Sequence, residues 1–380
     1  MAKIDHIESI SDKLAESTIA VLPKRCSYIR NWNSKCNACL NACPHDAIDR
    51  SLGHLEIKSD ACTNCGACVT ACPTSTFITT APGASEIVKE ARLSAQSNSG
   101  HSVFACAQLL EHQSIDTSKV AVLPCLDYLD EYLLTGLFAL GIKSATLLQG
   151  SCETCTVNSD SPCIAETVRC VKRLLKLWNV DAHVRLTEKI PSQVRMTRGA
   201  THGLIQGQSR RNSFRQAGGS VLGYVAQAVN DTMEDLSGTK QNTKVRKQIV
   251  VRLDEVFPPD TYRSVRMLNM LDHVGTRPYG QHVDTRFWAD VHIDPSKCRY
   301  CGMCANMCVT RALKFEKDEE DIGTLTFQPS LCINCRLCKD TCFTHSMVYS
   351  TNVFADDLDA NVAHTLFVHK DATKRNRFFD

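Results

Sequence analysis

The sequence predicts an α+β and α/β multidomain chain, with two small cysteine-bound modules and a small parallel α/β domain between them. Three observations predict it. Cysteine is the compositional outlier, at 22 of 380 residues. Most of these cysteines fall into two groups, at 26–72 and 298–342, whose spacings match. Between the groups, short apolar runs alternate with segments of helical period, as strands and helices do in a parallel α/β unit. The rest of the composition is that of an ordinary globular protein, 43% hydrophobic and 22% charged with a formal net charge of +2. The length suits two or three domains.

Residues 1–25 read as an N-terminal arm. They mix charges of both signs and lack the apolar core of a signal peptide. The longest near-apolar run, YLLTGLFALGI at 132–142, is too short to cross a bilayer. The expectation is a cytoplasmic chain that does not span a membrane, whose cysteines bind metal rather than form disulfides.

The first module is assigned to residues 26–85. CTNCGACVTACP places Cys62, Cys65, Cys68 and Cys72 in C-x2-C-x2-C-x3-C-P, and CNACLNACP supplies Cys36, Cys39 and Cys43. The first cysteine of that upstream copy is missing, because position 33 is Asn, and Cys26 is the available substitute. The second module, residues 287–352, repeats the pattern with Cys298, Cys301, Cys304 and Cys308, then Cys332, Cys335, Cys338 and Cys342. Two-residue gaps let three sulfurs converge within one tight loop, while the fourth cysteine lies on the following helical turn and points elsewhere. HLEIKSDAC and LKFEKDEEDIGTLTFQPSLC alternate apolar and polar residues, as short hairpin strands do.

On these motifs each module resembles the bacterial two-cluster [4Fe–4S] ferredoxins. The resemblance implies four clusters. Cluster 1 is held by Cys26, Cys36, Cys39 and Cys72, and cluster 2 by Cys62, Cys65, Cys68 and Cys43. Cluster 3 is held by Cys298, Cys301, Cys304 and Cys342, and cluster 4 by Cys332, Cys335, Cys338 and Cys308. Val309 and Phe343 stand where the family has proline. Four such clusters would take the chain from +2 to about −6. Structural zinc is the alternative, since C-x2-C pairs also make zinc ribbons, but the three-cysteine loop followed by C-P is not the zinc pattern.

Residues 100–190 form the α/β cysteine-rich domain. SVFAC, KVAVLPC, SATLLQG and DAHVRLT read as strands, with helices over LDEYLLTGLFALGI and 163–179. Cys106 and Cys125 end strands, and Cys152 and Cys155 closely follow a third, so four thiols gather at the carboxyl rim, the functional edge of such sheets. This segment is similar to the delta, iron–sulfur subunit of methyl-viologen-reducing hydrogenase, in its strand ending in cysteine, its LPCLDYLDEYLL unit and its Gly-x-Cys turn. That similarity implies one [2Fe–2S] cluster on Cys106, Cys125, Cys152 and Cys155. The spacing departs from that family, and Cys163 is a second candidate for the fourth ligand. Cys170 reads as a buried structural thiol. The alternatives are six plain core thiols, or a redox dithiol at Cys152 and Cys155.

Residues 191–286 read as a basic linker or docking arm, and 353–380 as a C-terminal tail. From Lys189 to Asn230 there is no acidic residue, while Arg195, Arg198, Arg210, Arg211 and Arg215 are basic, and 213–231 has a helical apolar face. SRRNSF at 209–214 is off the twin-arginine spacing and lies mid-chain, so it is not read as an export signal. No element suited to reading nucleic acid and no glycine-rich nucleotide loop in a strand–helix context is present.

No general base, nucleophile or substrate pocket is legible, so no catalytic residues are assigned. The expectation is a non-catalytic electron-transfer subunit of an anaerobic oxidoreductase complex. The partners expected are catalytic subunits such as a hydrogenase, a molybdopterin or tungsten enzyme, or a flavoprotein. The competing reading makes the middle domain a disulfide or sulfur-compound reductase fed by the two modules. Arg299, Arg336 and Lys339 lie inside the C-terminal motifs and predict higher potentials there, with Arg25 and Lys35 opposing.

Overall fold

The computed structural model describes residues 18–51, 53–159, 163–196 and 262–370. The apolar face at 213–231 and most of the basic run lie outside these residues.

The N-terminal module runs β1 (Ile19–Val21), α1 (Ser27–Arg30), α2 (Ala38–Ala42), β2 (Ile48–Ser51), β3 (His54–Ile57), α3 (Ala67–Ala71) and β4 (Phe77–Thr79). β1 pairs antiparallel with β4, Ile19 opposite Thr79, and β2 with β3 form a hairpin. Its core is four apolar side chains, Ile19, Ile48, Leu55 and Phe77, together with the thiols of Cys26, Cys39, Cys68 and Cys72. Four of the eight residues in this core are therefore cysteines, which leaves few apolar side chains to hold it together.

The middle domain opens with α4 (Ala84–Ser97), whose Glu86 carboxylate accepts from the Gly83 N–H at 3.0 Å. It continues through β5 (His101–Cys106), α5 (Ala107–His112), β6 (Ala121–Leu123), α6 (Glu131–Ala139), β7 (Ser144–Leu148), α7 (Cys163–Leu177) and β8 (His183–Thr187). The four strands form one parallel sheet in the order β6-β5-β7-β8. One core joins α4, α6 and α7 to the sheet through Val88, Phe104, Leu134, Leu147 and Val171. Val103, Ala105, Leu109 and Leu148 pack with Val194 in a second core.

Residues 262–286 differ from the linker expected of them. They form α8 (Arg263–Val274) and β9 (His282–Asp284). Met267, Leu268, Met270 and Leu271 of α8 pack with Tyr132, Trp178 and Trp288, and the two indoles stack at 6.4 Å. Burial on this scale offsets the poor local signal that makes the segment read as a linker.

The C-terminal module runs β10 (Asp290–Ile293), α9 (Met303–Met307), β11 (Leu313–Lys317), β12 (Ile322–Phe327), α10 (Leu337–Asp340) and β13 (Met347–Ser350). β10 pairs antiparallel with β13, and β11 with β12, which repeats the N-terminal arrangement. The expected tail adds two strands. β14 (Asn352–Phe354) pairs with β9, and β15 (His364–Lys370) extends the hairpin along β12. Among the described residues, no helix is long and apolar enough to cross a membrane.

Candidate metal centres

One backbone device recurs in the cysteine loops. Two residues after the first cysteine of each complete motif, Asn64, Tyr300 and Asn334 adopt φ of 55°, 56° and 53°. That turn aims the Asn64 N–H at Cys62 Sγ (3.4 Å) and the Tyr300 N–H at Cys298 Sγ (3.3 Å), and Asn334 does the same for Cys332. A second left-handed residue follows each last cysteine by three positions: Asp46, Ser75, Arg311 and His345, at φ of 48–56°. Beyond it, the Ala47 N–H donates to Cys43 Sγ (3.3 Å), Thr76 to Cys72 Sγ (3.4 Å) and Leu313 to Cys308 Sγ (3.5 Å). Ser346 reaches Cys342 in the same way. Threonine hydroxyls two residues past Cys72, Cys308 and Cys342 sit 3.4, 3.7 and 3.5 Å from those sulfurs. Donors converging on sulfur stabilise it as an anion.

These loops bring the thiols together in four groups. Cys36 and Cys39 face Cys26 and Cys72, and Cys62, Cys65 and Cys68 face Cys43. Cys298, Cys301 and Cys304 gather with Cys342, and Cys332, Cys335 and Cys338 with Cys308. The crossing of each fourth cysteine follows from its place at the end of a helix. Cys43, Cys72 and Cys308 each sit in extended backbone at the C-cap of a five-residue helix.

Burial pushes most of these thiols up, Cys65 and Cys332 to about 11 and Cys39, Cys304 and Cys335 to about 12. Cys342 is the exception. Burial raises it too, but the Ser346 and Thr344 hydroxyls and N–H groups outweigh burial and lower it. The thiols raised in this way would keep their protons unless a cationic core replaced them, and loading such a core releases protons. A cavity of about 320 Å³, part of it open to solvent, lies within one group and is lined by Cys43, Cys62, Cys65, Cys68 and the apolar Ile19, Ala47, Ile48 and Ile57. An apolar hollow walled by four thiols suits an iron–sulfur core. Among the described residues, no three Cys, His, Asp or Glu side chains are arranged to hold a single metal ion.

Four of the six remaining cysteines, Cys106, Cys125, Cys152 and Cys155, lie where β5, β6 and β7 end, and Cys163 and Cys170 lie on α7. Cys152 neighbours Cys106 and Cys155. Asn158, 2% exposed, joins the rest: its N–H lies 3.4 Å from Cys155 Sγ, and its Nδ2 lies 3.4 Å from Cys125 Sγ and 2.7 Å from Asp127 Oδ2. Burial and the Asp127 carboxylate push Cys125 up to about 12. Cys163 packs instead against Cys65 and Ala67, with Cys125 and Val157 at the edge of that group. Cys170 lies in the core with Leu174 and Trp178, and burial raises its thiol strongly.

This rim carries the N-terminal module. Thr63 Oγ1 donates to the Val157 carbonyl (2.6 Å) and Thr70 Oγ1 to the Asp127 carbonyl (2.7 Å). Cys125 and Cys65 are electrostatic neighbours.

Sequence reasoning missed Asn158, Asp127 and Arg50. Arg50 donates to the Cys36 carbonyl and to Asn37 Oδ1 (2.8 Å), lies over the Tyr28 ring, and places a cation beside Cys36 and Cys39. The threonine repeated two residues after three of the last cysteines is one signal that was present in the sequence.

A family model described as a 4Fe-4S dicluster domain matches residues 34–76 and, separately, residues 297–346. The chain thus carries two 4Fe–4S dicluster domains, one toward each end, which supports an iron–sulfur electron-transfer role. The first match begins after Cys26, and both leave the middle domain outside. No curated protein and no solved structure matches the chain.

Proposed function

We propose that this chain is an electron-transfer subunit holding four [4Fe–4S] clusters on the sixteen thiols grouped above, Cys26 included. The observation that carries this reading is the repeated loop. The same left-handed turns and N–H donors recur around thiols that assemble in fours, and the matched domains supply the class of cofactor. Bound clusters supply one-electron redox chemistry. The chain's own part is to saturate each core with thiolates, leaving no open coordination position. It also aims N–H and hydroxyl groups at sulfur, and wraps the cores in side chains such as Ile19, Ile48 and Phe315.

A fifth iron–sulfur site, of the [2Fe–2S] type, is proposed on Cys106, Cys125, Cys152 and Cys155. The bridging of Cys125 and Cys155 by Asn158 supports it, as does the likeness to the hydrogenase delta subunit. Cys163 is left out, because it faces Cys65 and Ala67. The partners proposed are catalytic subunits of an oxidoreductase complex. The test is a redox titration of anaerobically purified full-length protein, followed by electron paramagnetic resonance. Four [4Fe–4S] signals, with a fifth of distinct relaxation from the middle domain, are expected. A spectrum without [4Fe–4S] signals would defeat the reading.

A further inference from the structure

The one irregular motif is also the place where the two modules meet. Asn33 stands where the upstream motif should have its first cysteine, and Cys26 takes that role with nine residues between it and Cys36. This excursion reaches the C-terminal module. Asn31 Nδ2 lies 3.6 Å from Met307 Sδ, and the Lys35 N–H donates to Asp340 Oδ2 at 2.8 Å. Ser27, only 2% exposed, has an Oγ with no partner at hydrogen-bonding geometry. The group it lies beside is the Cys335 thiol of the C-terminal module.

The start of α8 clamps the same junction. Tyr262 Oη donates to the carbonyl of Val309, next to Cys308, at 3.2 Å. Arg263 Nη1 donates to the Thr70 carbonyl at 2.7 Å, and its Nη2 to the Cys72 carbonyl at 3.4 Å. One dipeptide thus touches both the Cys26 group and the Cys332 group.

We propose that the stretch between Cys26 and Cys36 is the electrical junction of the two modules, and that Ser27 donates its hydroxyl to the Cys335 sulfur across it. This rests on the clusters proposed above. It is a positioning role: a neutral donor turned onto a ligand sulfur favours the more negative, reduced state of the core held there.

The junction also orders the groups. Cys338 neighbours Cys304, Ser27 joins Cys335 to the Cys26 group, Cys39 neighbours Cys68, and Cys65 neighbours Cys125. These neighbours give the order Cys298 group, Cys332 group, Cys26 group, Cys62 group, then the middle-domain thiols. In this order the middle-domain thiols stand at one end, beside the Cys62 group.

The test uses full-length anaerobic protein and its Ser27→Ala and Ser27→Thr variants, titrated under electron paramagnetic resonance. Ser27→Ala should shift the reduction equilibrium of one cluster about tenfold toward the oxidised form, about 59 mV. Ser27→Thr, which keeps the hydroxyl, should return it to within about threefold of wild type. Cys338→Ser identifies the affected cluster by altering its spectrum. Cys39→Ala, which removes the neighbouring cluster, should slow spin relaxation of that same signal. Unchanged midpoints in Ser27→Ala, or relaxation of the Cys332 cluster unaffected by Cys39→Ala, would overturn the junction. Iron content short of four clusters in wild type would instead defeat the underlying reading.

Discussion

Replacing Gly302 with alanine should destabilise the C-terminal module by about 2–5 kcal/mol. Gly302 caps α9 at φ +69°, and an added Cβ would stand 2.7 Å from Phe315 Cδ1 and 3.1 Å from its Cγ. Left-handed backbone costs an ordinary residue about 1–2 kcal/mol, and displacing a packed ring costs about 1–3 kcal/mol. Arg336 holds the equivalent place before α10 at φ +61° and already bears the backbone part. Arg336→Gly therefore relieves about 1–2 kcal/mol of strain. Against this it loses a contact with the Tyr349 ring at 5.2 Å, worth about 0.5–1 kcal/mol on an exposed side chain. The two changes should move stability in opposite directions. The assay is urea-induced bleaching of the visible iron–sulfur absorption, in full-length protein under anaerobic conditions. With a slope of about 3 kcal/mol per molar, Gly302→Ala should lower the midpoint by about 1 M, while Arg336→Gly leaves it level or raises it. A neutral Gly302→Ala, or an Arg336→Gly midpoint falling as far, would refute the claim that left-handed turns hold these loops in place.

Arg50→Gln removes the cation beside Cys36 and Cys39, and should lower the midpoint potential of that cluster while leaving the C-terminal pair unmoved in a redox titration. Cys26→Ala should cost about four iron atoms per chain; iron analysis showing no loss would mean that another residue completes the group. Iron removal should unfold the N-terminal module, since four of the eight residues of its core are cysteines, yet leave the parallel sheet with its Leu134 and Val171 core folded. Circular dichroism of apo-protein should then retain the α/β signal. An unchanged spectrum would contradict the dependence of the N-terminal module on metal.

The thiol groups were legible in the sequence because ligation by short loops imposes short, repeated spacings. The strands of the middle domain were legible for a related reason: β5, β6 and β7 are largely apolar runs that end at or near Cys106, Cys125 and Cys152, and β8 alternates. What did not show was everything decided between distant residues. The face of α8, Met267 to Leu271, looked like part of a linker because its partners, Trp178 and Trp288, lie on either side of it in the chain. The pairing of Lys35 with Asp340 spans 305 positions, and no local periodicity encodes it. Arg50 was passed over because it sits on β2, outside the motif whose sulfurs it faces. The direction of the potential difference between modules, read from Arg299, Arg336 and Lys339, left Arg50 out of account. The structure directs Arg336 and Lys339 toward Tyr349, which weakens the basis for that expectation.

Iron and acid-labile sulfide counted together on anoxically purified full-length protein reach the central claim most directly. The account predicts about sixteen of each from the terminal modules, and about two more of each from the middle domain. Zinc in place of iron, or iron without matching sulfide, would contradict it.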